Sequence, residues 1–130
     1  MLTPAQTIRL VFVALALWLV ATAYIRYLPD AFTGEVPGSL GFVTSFPMAW
    51  ASIWLVQRLG ALAPGQLLSG VSLVGAAAMM IDGAALRFFP QAYGSDPLVL
   101  RLGAAWLLWG YGVSLGIALI WAGRSVTAAR

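Results

Sequence analysis

The sequence predicts an all-α, integral membrane four-helix bundle of up-down-up-down topology, and three observations carry that expectation. Of 130 residues, 62% are hydrophobic and 8% charged, with a mean hydropathy of +0.92. Average globular chains are roughly 25% charged, and a soluble domain this poor in charge has too little polar surface to face water. The apolar residues form four long runs without alternation, which excludes barrel strands. Short turn-rich segments separate the runs, so sequential helices are expected to lie antiparallel as neighbours in one transmembrane domain covering residues 1–130.

The first run covers about residues 5–28, with Pro4 in its first turn. A spanning helix needs about 20 apolar residues because the hydrocarbon core is about 30 Å thick. Lipid offers no partner for open backbone groups, so each run is expected to be helical. Arg9, the apolar block from Leu10 to Val20 and the small residues Ala21-Thr22-Ala23 also have the make-up of a signal peptide. A retained first span is the expected reading.

The segment PDAFTGEVPGS (29–39) holds two prolines, two glycines and two acids, and reads as an aqueous loop. The second run follows over about 40–59, where Pro47 removes a backbone donor and is expected to kink the helix. Ala63-Pro64-Gly65 makes a tight turn into the third run, about 65–89, and PQAYGSDP (90–97) leads to the fourth, about 97–122. Each proline in that last connection discourages helix continuation behind it.

Arginine placement sets the expected orientation. Arg9, Arg58, Arg124 and Arg130 share one side with no acid, while Arg26, Arg87 and Arg101 lie on the other with Asp30, Glu35, Asp82 and Asp96. Basic residues near span ends are retained on the cytoplasmic side. The expectation is a multi-pass protein of the bacterial cytoplasmic (inner) membrane with both termini cytoplasmic.

Absent residue types exclude much chemistry. The chain has no His and no Cys, and Lys and Asn are missing too. Neither a protein-ligated metal nor a protein-ligated haem is expected, and Ser-His or Cys-His nucleophiles are ruled out. No basic run exists, so nucleic acid is not an expected partner. A non-catalytic protein is the expected class.

One residue stands against the pattern. Asp82 interrupts the third apolar run, and Arg87 follows five positions later. A charge near the bilayer centre costs about 2.5–3.5 kcal/mol on insertion scales, so such residues face the bundle interior with a partner. Residues five apart are poorly placed on a helix. Arg26 or Arg101, at the same leaflet, is therefore the expected partner, leaving Arg87 to snorkel toward headgroups. Two roles stay open for Asp82, a structural ion pair that fixes helix register and a functional carboxylate.

Aromatic residues gather in that same outer half. Trp50 and Trp54 share one helix face at i, i+4, and Trp106 and Trp109 share another at i, i+3. A buried indole N–H calls for an acceptor, for which Asp82, Ser45 and Ser52 are available. Asp82, Arg26, Arg87, Arg101, Trp50, Trp106 and Trp109 thus form a candidate polar cluster or ligand pocket; packing alone is the competing reading of the tryptophans. Gly112 and Gly116 make a GxxxG spacing for close helix packing.

Two four-span families of this size are excluded by residue. Small multidrug-resistance exporters rely on a first-span Glu, and four-span fluoride channels on an Asn; neither is present. Met79, Met80, Asp82, Phe88, Phe89 and Pro90, followed by Leu107, Leu108, Trp109, Tyr111 and Gly112, resemble a bacterial family of small four-span membrane proteins classed as a domain of unknown function. The resemblance covers the second half of the chain. It departs at Gln91-Ala92-Tyr93-Gly94, where that family tends to a second Phe-Pro-like turn. It implies a four-span fold and no activity.

Two functional expectations result. One is an accessory subunit of a larger membrane complex, or a binder of a lipid-like ligand such as a quinone or pigment, with membrane lipids, other membrane subunits or a homo-oligomer as partners. The alternative is an oligomeric proton-coupled carrier or channel that uses Asp82.

Overall fold

The computed structural model describes residues 1–128 and is helical throughout, with no strand among the described residues. Five α-helices follow in order: α1 (Pro4–Tyr27), α2 (Asp30–Thr33), α3 (Glu35–Leu59), α4 (Leu67–Phe88) and α5 (Pro97–Ala128). Four of them, α2 excepted, are long and apolar enough to cross a membrane. Arg130, placed by sequence on the acid-free side, lies outside the described residues.

Local chemistry explains where each helix begins. Thr3 caps α1 reciprocally: its Oγ1 accepts from Gln6 N at 3.2 Å, and Gln6 Oε1 accepts from Thr3 N at 2.9 Å. That capping box satisfies two donors that a helix start otherwise leaves open, and Pro4 sits where a missing N–H costs nothing. Asp96 caps α5 by accepting from Leu98 N at 2.9 Å. The α3–α4 turn depends on Gly60, where an added Cβ would lie 2.8 Å from Leu10 Cδ2 and 2.8 Å from Val56 O.

One expectation about the connections needs correction. The segment 29–39 is not an open loop: α2 occupies Asp30–Thr33 and α3 begins at Glu35. Gly34 is the residue before α3, and Pro37 falls in the first turn, where its lack of an N–H is harmless. Helix α3 continues unbroken to Leu59 through Pro47, which lies on its exposed surface.

Helix pairing also differs from a simple sequence-neighbour scheme. α3 packs mainly on α5 and α1 mainly on α4, while α4 and α5 join the two pairs. Contact between α1 and α3 is sparse by comparison. Two apolar clusters result. One gathers Leu10, Val13, Ile53, Val56, Val71 and Ala118, and the other gathers Ile25, Phe32, Ala85, Tyr93, Val99 and Trp106.

Close helix approach occurs away from the expected glycines. Cβ atoms built at Gly112 and Gly116 would meet nothing within 4 Å, so that pair forms no tight crossing in this chain. Tight sites are Gly103, against Ile25 of α1, Gly38, against the Phe32 carbonyl of α2, and Gly70, against Leu62 of the α3–α4 connection. The GxxxG spacing describes which residues share a face, and that face of α5 is turned away from the other helices.

Candidate functional site: a buried carboxylate beside an apolar cavity

Asp82 is 4% exposed, and aromatic hydroxyls meet both of its oxygens. Tyr93 Oη donates to Oδ1, and Tyr111 Oη donates to Oδ2. Trp18 extends the chain, its Nε1 donating to Tyr93 Oη at 2.9 Å. The network joins α1, α4, α5 and the 90–96 connection through one carboxylate. Hydrogen bonds to a charged acceptor are roughly twice as strong as neutral ones, so the two phenols satisfy the buried carboxylate without an ion pair. Thr22, one turn along α1 from Trp18, adds a buried hydroxyl with no partner among the described residues.

The expected arginine partners are thus corrected. Arg26 turns to the 90–92 turn, donating from Nη1 to Gln91 O at 2.5 Å. Arg101 is exposed, and Arg87 is exposed with its guanidinium 5.5 Å from the Phe88 ring centroid. Long basic side chains near helix ends keep their charge in polar surroundings, whereas phenols bring donors into an apolar interior without a second charge.

Tyr93 was legible only as a departure in a connecting loop. The 3-10 turn Pro90–Ala92 folds that loop back, leaving Tyr93 1% exposed among Ile25, Ala85 and Val99. Gly94 follows at φ +140, a conformation that favours glycine. Burial, then the hydrogen bond to Asp82, pushes the Tyr93 hydroxyl up to about 12 from an ordinary 10.0. A phenol raised in this way contributes stability below its ordinary value and loses that contribution as pH climbs through the raised one. The phenolate absorbance that Tyr93→Phe removes is therefore expected only as pH approaches about 12, in a spectrophotometric titration.

The tryptophans divide. Trp109 Nε1 donates to Ser45 Oγ at 2.9 Å and Phe42 O at 3.0 Å, tying α5 to α3 one turn before Pro47. Trp106 packs on Tyr24, 5.3 Å between ring centroids, and on Phe32 at 5.6 Å. Trp50 is 56% exposed and sits edge-on to Trp121 at 4.9 Å on the outer α3–α5 face, so it joins neither the carboxylate nor the cavity beside it.

That cavity measures about 250 Å³ and lies between the four long helices. Trp18 and Ala21 line it from α1, Ser52 from α3, Gly75 from α4, and Tyr111 and Ser114 from α5. Ile53, Val56 and Val71 of one apolar cluster and Trp106 and Leu107 of the other also line it, so it spans both. Val20 and Met48 line it while remaining 66% and 47% exposed. They mark an opening on the side of the molecule, between the sparsely packed α1 and α3.

The chain matches no family model, no curated protein and no solved structure. Among the described residues no group of three or more Asp or Glu is placed to hold a metal ion.

Proposed function

We propose that this chain is a small, non-catalytic integral membrane protein that holds a lipid-like molecule, such as a quinone or pigment, between its spans. The observation that carries this reading is the apolar cavity with its mouth between α1 and α3. A cavity opening on the side of a membrane bundle exchanges ligand with the bilayer, and it needs no polar path to water. Ligand sites are mostly apolar, with a few polar groups to fix orientation; here Tyr111, Ser52 and Ser114 fill that role.

Up-down-up-down topology is part of the proposal. In its support, Gln6 at the start of α1 donates to Ala61 O at 2.9 Å, whereas Arg26 at its end reaches Gln91. Those contacts favour α1 and α4 running in one direction. Arg9, Arg58 and Arg124 then share a side with both termini, which we assign to the cytoplasm of a bacterial inner membrane by the positive-inside rule. The cavity's Trp106 end and Asp82 then fall in the outer-leaflet half.

The proton-coupled carrier is less favoured, because a carrier must release and recapture a proton at Asp82 and two donors engage both carboxylate oxygens. Native mass spectrometry of protein extracted gently from its own membranes, with an absorption spectrum of the same sample, tests the proposal. A retained small apolar mass is expected. Protein that arrives only with larger subunits moves the function to an accessory role, and a bare oligomer favours transport.

A further inference from the structure

Most polar side chains lining the cavity already have their hydrogens engaged within the protein. Ser45 Oγ donates to Phe42 O at 2.6 Å, Ser52 Oγ to Met48 O at 2.9 Å and Ser114 Oγ to Gly110 O at 2.9 Å. Tyr111 gives its hydrogen to Asp82, and Trp18 gives its N–H to Tyr93. A hydroxyl has one hydrogen and two lone pairs, so the three serines and Tyr111 offer the cavity acceptors. Trp106 turns its N–H edge toward Gly41, whose added Cβ would lie 3.9 Å from Nε1. Gly41 lines the neighbouring recess near α2 and not the cavity. Of the hydroxyl-bearing residues that line the cavity, Tyr24 alone has no partner among the described residues, and it stands where cavity and recess adjoin, lining both.

The serines can turn their hydrogens at small cost, since the carbonyls they serve lie in helices and already accept backbone bonds. Tyr111 cannot. Turning it toward a ligand strips the buried Asp82 of one of its two phenol donors, and an unmet bond to a charged group is the expensive kind. Tyr111 is therefore the selective group, an acceptor held in place by the carboxylate behind it.

We propose that the cavity selects an apolar molecule bearing a hydrogen-bond donor, an alcohol or a phenol, over the matching carbonyl compound. Within the quinone class this means the reduced quinol. The proposal rests on the cavity being a ligand site, and it adds a chemical class. An apolar cavity of roughly 150 Å³ accepts a benzene ring, so about 250 Å³ admits a fused bicyclic ring.

The test compares 1-indanol with 1-indanone, which share a skeleton and differ in the donor. Each is titrated calorimetrically into the protein in lipid nanodiscs, with empty nanodiscs as the reference for bilayer partitioning. The alcohol is expected to bind about tenfold more tightly, the size of the one hydrogen bond to Tyr111 that the ketone cannot make. Tyr111→Phe is expected to bring the two together; where that variant fails to fold, the wild-type comparison decides. Affinities within about threefold of each other, or a tighter ketone, overturn the donor preference and leave the cavity reading standing. Binding of neither compound above empty nanodiscs overturns both.

Discussion

Replacing both Tyr93 and Tyr111 by Phe is expected to destabilise the folded protein by about 3–5 kcal/mol, because it leaves a buried carboxylate without either donor. Each single variant should cost about 1.5–3 kcal/mol, the range for a hydrogen bond to a charged group. The comparison that isolates the cause is a triple variant. Adding Asp82→Leu to the double Phe background removes the stranded charge, and most of the loss should return, since apolar groups of similar size replace a satisfied polar set at little cost. Neutral contacts between spans give a scale. Interhelical hydrogen bonds in membranes average about 0.6 kcal/mol because unfolded spans find other partners, so Trp109→Phe, which loses bonds to Ser45 and Phe42, should cost much less than either tyrosine. Unfolding in mild detergent measures the series. A double variant no weaker than Trp109→Phe would show that the carboxylate is solvated by other means.

Gly103→Leu is the second large effect, with an expected loss of about 1–3 kcal/mol from overpacking. A Cβ at position 103 would already lie 3.1 Å from Ile25 Cδ1 and 3.1 Å from Ile25 Cγ2. Ile25 is 1% exposed within the Tyr93 cluster and has no room to withdraw. The strain would therefore push α1 from α5 and loosen the network at Tyr93. Gly112→Leu and Gly116→Leu are the controls, because both positions meet open space and should stay within about 0.5 kcal/mol of wild type. Loss of stability at Gly112 or Gly116 in a monomeric preparation would restore the GxxxG face as an internal contact.

Hydropathy alone made the four long helices legible, since run length against bilayer thickness is a coarse and robust quantity. Asp82 was legible as a buried polar residue because a carboxylate within an apolar run must turn away from lipid. Its partners were not, because charge complementarity pointed to Arg26 and Arg101 while the donors came from Tyr93 and Tyr111. Tyr93 lies in a segment that reads as a connection, and only the fold-back at Pro90–Ala92 brings it inward. Its sequence signal was slight, a lone aromatic between Ala92 and Gly94. The start of α3 was hidden for a related reason: Pro37 reads as a breaker unless the helix start is known to lie two residues before it. Pairings between distant spans, and hence the cavity, depend on side-chain fit that periodicity does not encode.

Gly75 offers the most direct test of where the ligand sits. Gly75 lines the cavity, and a Cβ there meets nothing within 4 Å, so Gly75→Met has room for a larger side chain at the cavity. Wild type and Gly75→Met are extracted side by side from the same membranes, and native mass spectrometry reads the bound mass. The predicted result is a small apolar ligand on wild type and its loss from Gly75→Met, with unfolding behaviour unchanged. Equal loading of the two proteins would contradict the central claim, since a molecule indifferent to a filled cavity is bound elsewhere.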